Sequence, residues 1–197
     1  MTERITADEA KKILRDLDAM AYAQQLVERL GVHFERLEIA GSLRRKRAMV
    51  GDIELVGSLK EEKRGLFGMV ERTSVEAVID HMYSMGYRTI KAGEKYVQFA
   101  RSVPQLGSNN GEAEKLNVDL FICTPENWGG ILMIRTGSAA FSRKMMTRAS
   151  LGGWCPDDMR FMDGRLWRGG VAIDVPEEAD LFREMGLAYV RPEERNY

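Results

Sequence analysis

The sequence predicts an α+β protein, with a mixed β-sheet flanked by helices and a small C-terminal α/β lobe. Apolar residues recur at helical spacing between residues 13 and 30. Acidic and apolar residues alternate in residues 51–55 and again in 117–122, which is typical of strands with one buried face. Short strand patterns and one further helix follow Gly152 and Gly153. Both helices and strands are therefore expected in each half of the chain.

The first part of the chain is predicted to hold two helical regions, each opened by a capping box and closed by a glycine. These are residues 6–31, which fit one helix or two, and residues 73–86. Strands are expected at residues 37–40, 52–55, 96–100 and 117–122. Residues 105–114, rich in Gly, Ser and Asn, are expected to form a flexible loop between the last two strands.

The last part of the chain begins with a helix that Ser138 is placed to cap and that should run to about Ser150. The backbone N–H groups at the start of such a helix favour a nearby anion. Gly137, just before it, lets a ligand approach the backbone closely. Further elements are predicted as strands at 161–165 and 171–173 and as a helix from Pro176 to Gly186.

The 197-residue chain is long enough to bury a core and to form one domain or two packed lobes. No apolar run has the length of a membrane span, and the N-terminus lacks the pattern of a signal peptide. We therefore expect a cytoplasmic or equivalent intracellular protein without a membrane partner. Cys123 and Cys155, the only cysteines, lack metal-ligand spacing, which argues against zinc and against a disulfide framework.

Three carboxylates are predicted to converge on two strands. Asp52 and Glu54 lie on one face of the first strand, opposite its apolar residues, and Asp119 lies opposite the apolar face of the second. Because clustered carboxylates repel one another, a hard divalent cation such as Mg²⁺ is expected among them. Two such ions can hold the attacking and leaving oxygens of an in-line displacement. The alternative is that each acid is simply a solvated strand residue.

Basic residues occur in two groups, one after Gly41-Ser42 and one on a predicted helix: Arg44, Arg45, Lys46 and Arg47, then Arg143, Lys144 and Arg148. Such patches can contact phosphates although the formal net charge is −1, and a few contacts give salt-sensitive binding. The alternative, which we favour for Lys46 and Arg47, is a solvated surface side chain. The chain has neither a Walker-type loop nor a dinucleotide-binding glycine motif, which argues against an ATPase or a dehydrogenase.

Four motifs together resemble the family X DNA polymerases, the group of DNA polymerase β within the nucleotidyltransferase superfamily. They are Gly41-Ser42-Leu43-Arg44-Arg45, Gly51-Asp52-Ile53-Glu54, Val118-Asp119-Leu120 and Thr136-Gly137-Ser138-Ala139-Ala140-Phe141, in the family's order. Residues 187–195 also resemble the family's closing segment. The resemblance implies a polymerase β-like nucleotidyltransferase palm at residues 1–134 and a nucleotide-selecting lobe at residues 135–197.

The resemblance also implies roles for individual residues. Asp52, Glu54 and Asp119 would be catalytic and would hold two Mg²⁺ ions, for which Mn²⁺ can substitute. The β and γ phosphates of an incoming dNTP would be bound by Ser42, Arg45 and the backbone of Gly51. The residues expected near its sugar and base are Ile134, Arg135, Gly137 and Ser142. Those expected to contact DNA are Arg143, Lys144 and Arg148.

Several positions differ from the family pattern. Glu54 stands where most members have Asp, although Asp-x-Glu occurs in the related aminoglycoside nucleotidyltransferases. Ile134 and Arg135 replace the usual Tyr-Phe pair beside the sugar, which predicts weaker discrimination against ribonucleotides. Ser142 replaces a residue that contacts the base, and Met146 replaces an arginine that commonly contacts the template. Reduced fidelity is therefore predicted.

The sequence predicts a compact, magnesium-dependent monomer that adds deoxynucleotides from dNTPs to a primer 3′-hydroxyl and fills short gaps during DNA repair. Because 40 residues precede Gly41, no lyase domain is expected. One alternative is a template-independent terminal transferase, favoured if Met146 and the loop near Asn109 leave the template ungripped. The others are a transferase with a small acceptor such as an aminoglycoside, and a binding module with a decayed active site.

Overall fold

The structure, a computed structural model, describes residues 7–60, 63–64, 70–71, 75–104 and 113–196. The helices are α1 (Ala7–Leu30), α2 (Gly41–Arg44), α3 (Val75–Ser84), α4 (Trp128–Thr136), α5 (Ala139–Met146) and α6 (Glu178–Glu184). The strands are β1 (Phe34–Ile39), β2 (Ile53–Leu59), β3 (Lys63–Arg64), β4 (Val70–Glu71), β5 (Arg88–Ala92), β6 (Tyr96–Pro104), β7 (Ala113–Cys123), β8 (Met159–Met162), β9 (Arg165–Arg168) and β10 (Val171–Ile173). The predicted α+β class is confirmed.

Contacts within the chain divide it into two compact units. The first consists of the described residues up to Ile39 and within Ala48–Ile122, and the second of Ala40–Arg47 and the described residues from Cys123 onward. The predicted boundary between residues 134 and 135 falls inside α4, so it does not coincide with this division. The roles assigned to the two predicted domains stay predictions.

The first unit is built on a five-stranded mixed sheet with the strand order β1-β2-β7-β6-β5. The pairs β1–β2, β5–β6 and β6–β7 are antiparallel, and β3 and β4 form a separate two-stranded ladder. Ile53 and Leu55 are fully buried, whereas Asp52 and Glu54 are half-buried. This alternation is the one that the sequence predicts.

The helices of the first unit match the prediction, and α1 is one continuous helix. Helix α3 ends at Ser84, and Gly86 beyond it has a φ of 83°, which glycine adopts without strain. Strand β5 is missing from the sequence prediction because all of its residues are exposed, so it has no alternating pattern. The predicted caps at Thr6 and Thr73 and most of the loop 105–114 lie outside the described residues.

The second unit combines α2, α4, α5 and α6 with a three-stranded antiparallel sheet of order β10-β9-β8. The residues of its buried core are Met133, Phe141, Met145, Cys155, Met159, Leu166, Val175, Leu181, Phe182 and Met185. Helix α4 is not predicted, because Gly129 and Gly130 lower its helix propensity. Close packing explains both glycines, since a Cβ on Gly129 would lie 2.2 Å from the Glu177 carbonyl. A Cβ on Gly130 would lie 1.8 Å from the Gly164 carbonyl oxygen.

The strand predicted at residues 161–165 is wrong, because a tight turn interrupts it. Strand β8 ends at Met162, and β9 begins at Arg165. Between them Asp163 and Gly164 have φ values of 51° and 76°. Two positive φ angles on an Asp-Gly pair are typical of a two-residue β-hairpin turn. The Asp-Gly dipeptide was therefore the signal that the sequence offered.

The remaining helices of the second unit agree with the prediction except at one end. Ser138 caps α5, because its hydroxyl oxygen accepts a hydrogen bond from the Phe141 N–H at 3.1 Å. Helix α5 ends at Met146, short of the predicted end, because Thr147 has an extended backbone. Helix α6 ends before Gly186, as predicted. Within the described ranges, no helix has the length and apolar character needed to cross a membrane.

Candidate active site

The structure places the three predicted acidic residues on, or directly before, two neighbouring strands of the first unit. Asp52 lies in a bend directly before β2, Glu54 lies in β2, and Asp119 lies in β7. β2 and β7 are adjacent in the sheet, and each of the three residues is half-buried. The sheet topology therefore brings the two acidic motifs side by side.

Asp52 and Asp119 interact electrostatically. Burial raises the pKa of the Asp52 carboxyl above its ordinary value of 3.8, and the negative charge of Asp119 raises it further. Both effects penalise the ionised form of Asp52. A divalent cation bound between the two carboxylates would offset both, and hard oxygen ligands are the ones that Mg²⁺ prefers. This pair therefore fits such an ion.

The convergence of all three carboxylates is not observed. Among the residues that the structure describes, no group of three His, Cys, Asp or Glu side chains is arranged to hold a metal ion. Glu54 lies two residues beyond Asp52, and that spacing moves a backbone position about 6.6 Å along a strand. The structure thus associates Asp52 with Asp119, while Glu54 shares the face of Asp52 at the next position.

Asp119 is held by two residues of β6 that the sequence interpretation missed. The Tyr96 hydroxyl donates a hydrogen bond to Asp119 Oδ1 at 2.9 Å, and the Gln98 side-chain amide donates to the same oxygen at 3.0 Å. Gln98 lies directly opposite Asp119 in the antiparallel β6–β7 pair. Alternation put Tyr96 and Gln98 on one face of a predicted strand, but it could not supply the register with β7.

The basic turn after β1 belongs to the second unit and forms the short helix α2. Arg45 at its end donates a hydrogen bond from Nε to Asn196 Oδ1 at 3.0 Å and one from Nη1 to the Thr136 carbonyl oxygen at 2.5 Å. These two bonds orient the guanidinium through neutral oxygens. Ser42, also in α2, is half-buried, whereas Gly51 lies in an exposed bend of the first unit.

Arg44, the neighbour of Arg45, takes part in a network of opposite charges in the second unit. Its Nη1 and Nη2 donate to Glu178 Oε1 and Oε2 at 2.8 and 2.7 Å, and Nη1 also donates to Thr136 Oγ1 at 2.8 Å. Arg195 Nη1 donates to Glu178 Oε1 at 2.5 Å. Three aromatic rings lie 5.4 to 5.9 Å from the Arg195 guanidinium, namely Phe141, Phe182 and Tyr189.

This network controls the charge of a buried acid. Glu178 is 5% exposed and Arg195 is 0% exposed. Burial, the largest single effect, raises the pKa of Glu178, but the hydrogen bonds and positive charges of Arg44 and Arg195 together lower it below the ordinary 4.5. No local pattern in the sequence indicates a role for this acid, because it lies 134 positions from Arg44.

The residues predicted to contact the sugar and base of the nucleotide lie where α4 ends and α5 begins. Ser142 is buried, and its hydroxyl donates a hydrogen bond to the Ile134 carbonyl oxygen at 2.8 Å. A Cβ on Gly137 would lie 2.6 Å from Ser142 Oγ, so glycine permits this close packing. Ile134 is half-buried and Arg135 is exposed. Ser142 therefore ties α5 to α4, and Arg135 is the long polar side chain that this junction presents to solvent.

The residues predicted to contact DNA lie on α5 and just after it. Arg143 and Lys144 occupy the last turn of α5, and Arg148 follows the helix. All three are exposed. The Lys144 ammonium lies 5.1 Å from the centroid of the Trp154 ring, a distance that suits a cation–π contact. The predicted basic patch is therefore present as a surface of the second unit.

Comparison with known protein families gives a match to the C-terminal part of the chain. Residues 131–196 match the family described as DNA polymerase beta thumb. Among curated proteins, none matches this chain. The matched segment contains the Thr136–Phe141 motif and residues 187–195, two of the stretches on which the sequence resemblance rests. The C-terminal third of the chain is therefore similar to a DNA polymerase β thumb, which supports the resemblance to the family X polymerases that the sequence motifs indicate.

Proposed function

We propose that the protein is a metal-dependent DNA nucleotidyltransferase that adds deoxynucleotides from dNTPs to a primer 3′-hydroxyl, directed by a template. Filling of short gaps during repair is the activity that fits this proposal. The observation that carries it is the pair of half-buried carboxylates formed by Asp52, directly before β2, and Asp119 in the adjacent strand β7. The thumb-like segment at residues 131–196 supports DNA as the partner.

In the proposed reaction Asp52 and Asp119 would hold Mg²⁺, with Mn²⁺ as a substitute. Glu54, which the described geometry does not group with them, is proposed to turn toward the bound cation as a third ligand. Two bound ions would stabilise the attacking hydroxyl oxygen and the leaving phosphate oxygen. Asp52 must lose its proton before it can bind a cation. Because burial and Asp119 raise the pKa of Asp52, the proton of this residue limits cation binding in the acid range. Asp119, fixed by Tyr96 and Gln98, is proposed to face the primer 3′-hydroxyl.

The second unit is proposed to supply the cationic contacts. Arg45 is oriented by Thr136 and Asn196, and an arginine fork matches two phosphate oxygens at once. Ser42, in the same unit, is the other side chain proposed to bind the β and γ phosphates. The role of the Gly51 backbone stays a prediction of the family resemblance. Arg44 is not assigned to the substrate, because Glu178 binds it in a bidentate pair.

The junction of α4 and α5 is proposed to select the nucleotide. Ile134, Arg135 and Gly137 are proposed to flank its sugar and base, and buried Ser142 supports them through its bond to the Ile134 carbonyl. The DNA phosphates would meet the exposed basic residues Arg143, Lys144 and Arg148. Because these contacts are few, binding should weaken steeply as the salt concentration rises.

Primer extension tests the proposed function. A labelled primer is supplied on gapped, recessed and single-stranded DNA with Mg²⁺ or Mn²⁺ and with each dNTP separately. We expect incorporation dictated by the template base, loss of incorporation in Asp119→Asn, and normal incorporation in Tyr83→Phe, whose side chain is 76% exposed. Untemplated addition to single strands would indicate a terminal transferase. No addition to any DNA would overturn the proposal in favour of a small acceptor or a binding role.

A further inference from the structure

One face of the β6–β7 pair carries four side chains that are connected to one another. Gln98 is opposite Asp119, and Tyr96 is opposite Phe121. Residues two apart on a strand share a face, so all four lie on the same side of the sheet. Tyr96 therefore lies diagonally across from Asp119, within the reach of a long side chain.

The ring of Tyr96 is fixed on this face. It stacks on Phe121 with a centroid distance of 5.0 Å and an interplanar angle of 24°. The Lys91 ammonium lies 5.3 Å from the centroid of the Tyr96 ring. Offset stacking and cation–π contacts both restrict the ring. The hydroxyl group is therefore held where it donates to Asp119 Oδ1 at 2.9 Å.

Both donors act on one oxygen of the carboxylate. The Tyr96 hydroxyl and the Gln98 amide, at 2.9 and 3.0 Å, both end on Oδ1, and neither takes Oδ2. A carboxylate oxygen has two lone-pair sites, so two donors occupy the coordination that Oδ1 offers in the plane. Asp119 Oδ2 is then the oxygen that these two bonds leave for a cation.

We propose that Tyr96 and Gln98 are positioning residues that fix Asp119 Oδ1 and direct Oδ2 toward the divalent cation; this inference rests on the proposed function. Hydrogen-bond donors around a ligating carboxylate commonly change metal affinity by about 10- to 100-fold when removed. The role is distinct from a structural one. A bond that merely held β6 to β7 would affect unfolding and leave the affinity for a cation unchanged.

The test measures the binding of Mn²⁺ alone by electron paramagnetic resonance, in the absence of DNA and dNTP. Tyr96→Phe keeps the stacked ring and removes only the hydroxyl, and Gln98→Leu removes only the amide. We expect each variant to bind Mn²⁺ about 10-fold more weakly than the wild type, and the double variant more weakly still. Tyr83→Phe removes an exposed tyrosine hydroxyl from the same unit and is the matched control, with unchanged binding expected.

A second readout separates this inference from the proposed function. The Mg²⁺ concentration that gives half-maximal primer extension should rise in Tyr96→Phe and Gln98→Leu by the same factor as the loss of Mn²⁺ affinity. If the wild type extends primers and both variants bind Mn²⁺ as tightly as it does, the positioning role is overturned and the proposed function stands. If the wild type neither binds Mn²⁺ nor extends a primer, the proposed function fails and this inference fails with it.

Discussion

Asp52 in the first unit and Glu178 in the second both lose solvent on folding, yet their pKa values move in opposite directions. Burial raises the pKa of both carboxyls. Asp52 faces the like charge of Asp119, which raises its pKa further, whereas Glu178 receives hydrogen bonds from Arg44 and Arg195, which lower its pKa. The neighbouring charge, rather than burial, therefore decides the direction of the shift. Asp52 has a like charge beside it, whereas Glu178 already has two positive counter-ions.

The two regions also differ in whether they contain their own counter-ions. The network of Arg44, Glu178 and Arg195 contains its own counter-ions and needs no ligand. The pair of Asp52 and Asp119 is electrostatically incomplete, and a divalent cation would complete it. Removing a charge should therefore have opposite effects on the unfolding free energy in the two units, and the variants below test that contrast.

The largest effect is expected for Glu178→Gln. This change leaves the fully buried Arg195 and the half-buried Arg44 without the acid that neutralises them. Breaking a buried pair in this way typically costs about 3 to 5 kcal/mol of unfolding free energy, because an uncompensated charge stays buried. Urea unfolding at pH 7 gives the value.

The matched control for Glu178→Gln is Glu193→Gln. Glu193 pairs with Lys46 at 2.6 Å, but both side chains are exposed, at 40% and 74%. Exposed pairs of this kind contribute little to stability. Equal losses of unfolding free energy in the two variants would show that burial of the network does not determine its contribution to stability. The proposed contrast between Asp52 and Glu178 would then be wrong for Glu178.

The next effect is expected for Asp119→Asn. Loss of a ligand should reduce nucleotide incorporation by more than about 100-fold, because loss of a mere supporting partner already costs about 10- to 100-fold. The same change removes the like charge beside Asp52, so the pKa of Asp52 should fall toward its ordinary value. Primer extension measures the first result, and carbon-detected NMR titration of the Asp52 carboxyl measures the second.

Asp174→Asn provides the control for this pair of measurements. Asp174 is a carboxylate of the second unit whose side chain is 63% exposed, 3.8 Å from Arg165. Its removal should change neither incorporation nor the titration of Asp52. An unchanged Asp52 titration in Asp119→Asn would mean that burial alone raises the pKa of Asp52.

The sequence sufficed for the features that depend on local pattern. Alternation around Asp52 and Asp119 predicted two strands with acids opposite the apolar face, and the structure has both strands. The bond from Tyr96 to Asp119 could not be predicted, because it depends on the β6–β7 register across an intervening loop. Glu178 could not be predicted either, since 134 positions separate it from Arg44 and only the packing of α6 brings it there.

A smaller effect is expected for the stability of Asp52→Asn. Because the pKa of Asp52 is raised in the folded state, its contribution to stability is fully present below the ordinary value of 3.8 and is lost as pH rises through the raised value. Ionised Asp52 therefore costs stability at pH 7. We expect Asp52→Asn to raise the urea midpoint at pH 7 and to leave it nearly unchanged at pH 3.

Magnesium sharpens this prediction about Asp52. Adding Mg²⁺ at pH 7 should raise the urea midpoint of the wild type more than that of Asp52→Asn, because a cation bound to the folded state alone stabilises it. A variant Asp52→Asn that is less stable than the wild type at pH 7 would contradict the idea of an incomplete pair.

The pH dependence of stability has the opposite sign for Glu178. Because its pKa is lowered in the folded state, its contribution to stability is present above 4.5 and is lost as pH falls.

The smallest effect on stability is expected for two histidines of the first unit, to which the comparison extends. His33 Nε2 lies 3.0 Å from His81 Nδ1, and burial, His81 and Lys60, in that order, lower the pKa of His33 below 6.5. A lowered histidine pKa gives stability that is present above 6.5 and is lost as pH falls through the folded value. We expect His33→Gln to flatten the fall of the urea midpoint between pH 7 and pH 5. His81→Gln should flatten it less, because the burial of His33, the largest cause, remains. Equal slopes in the wild type and in His33→Gln would show that this histidine pair, unlike Asp52 and Asp119, has no influence on folding.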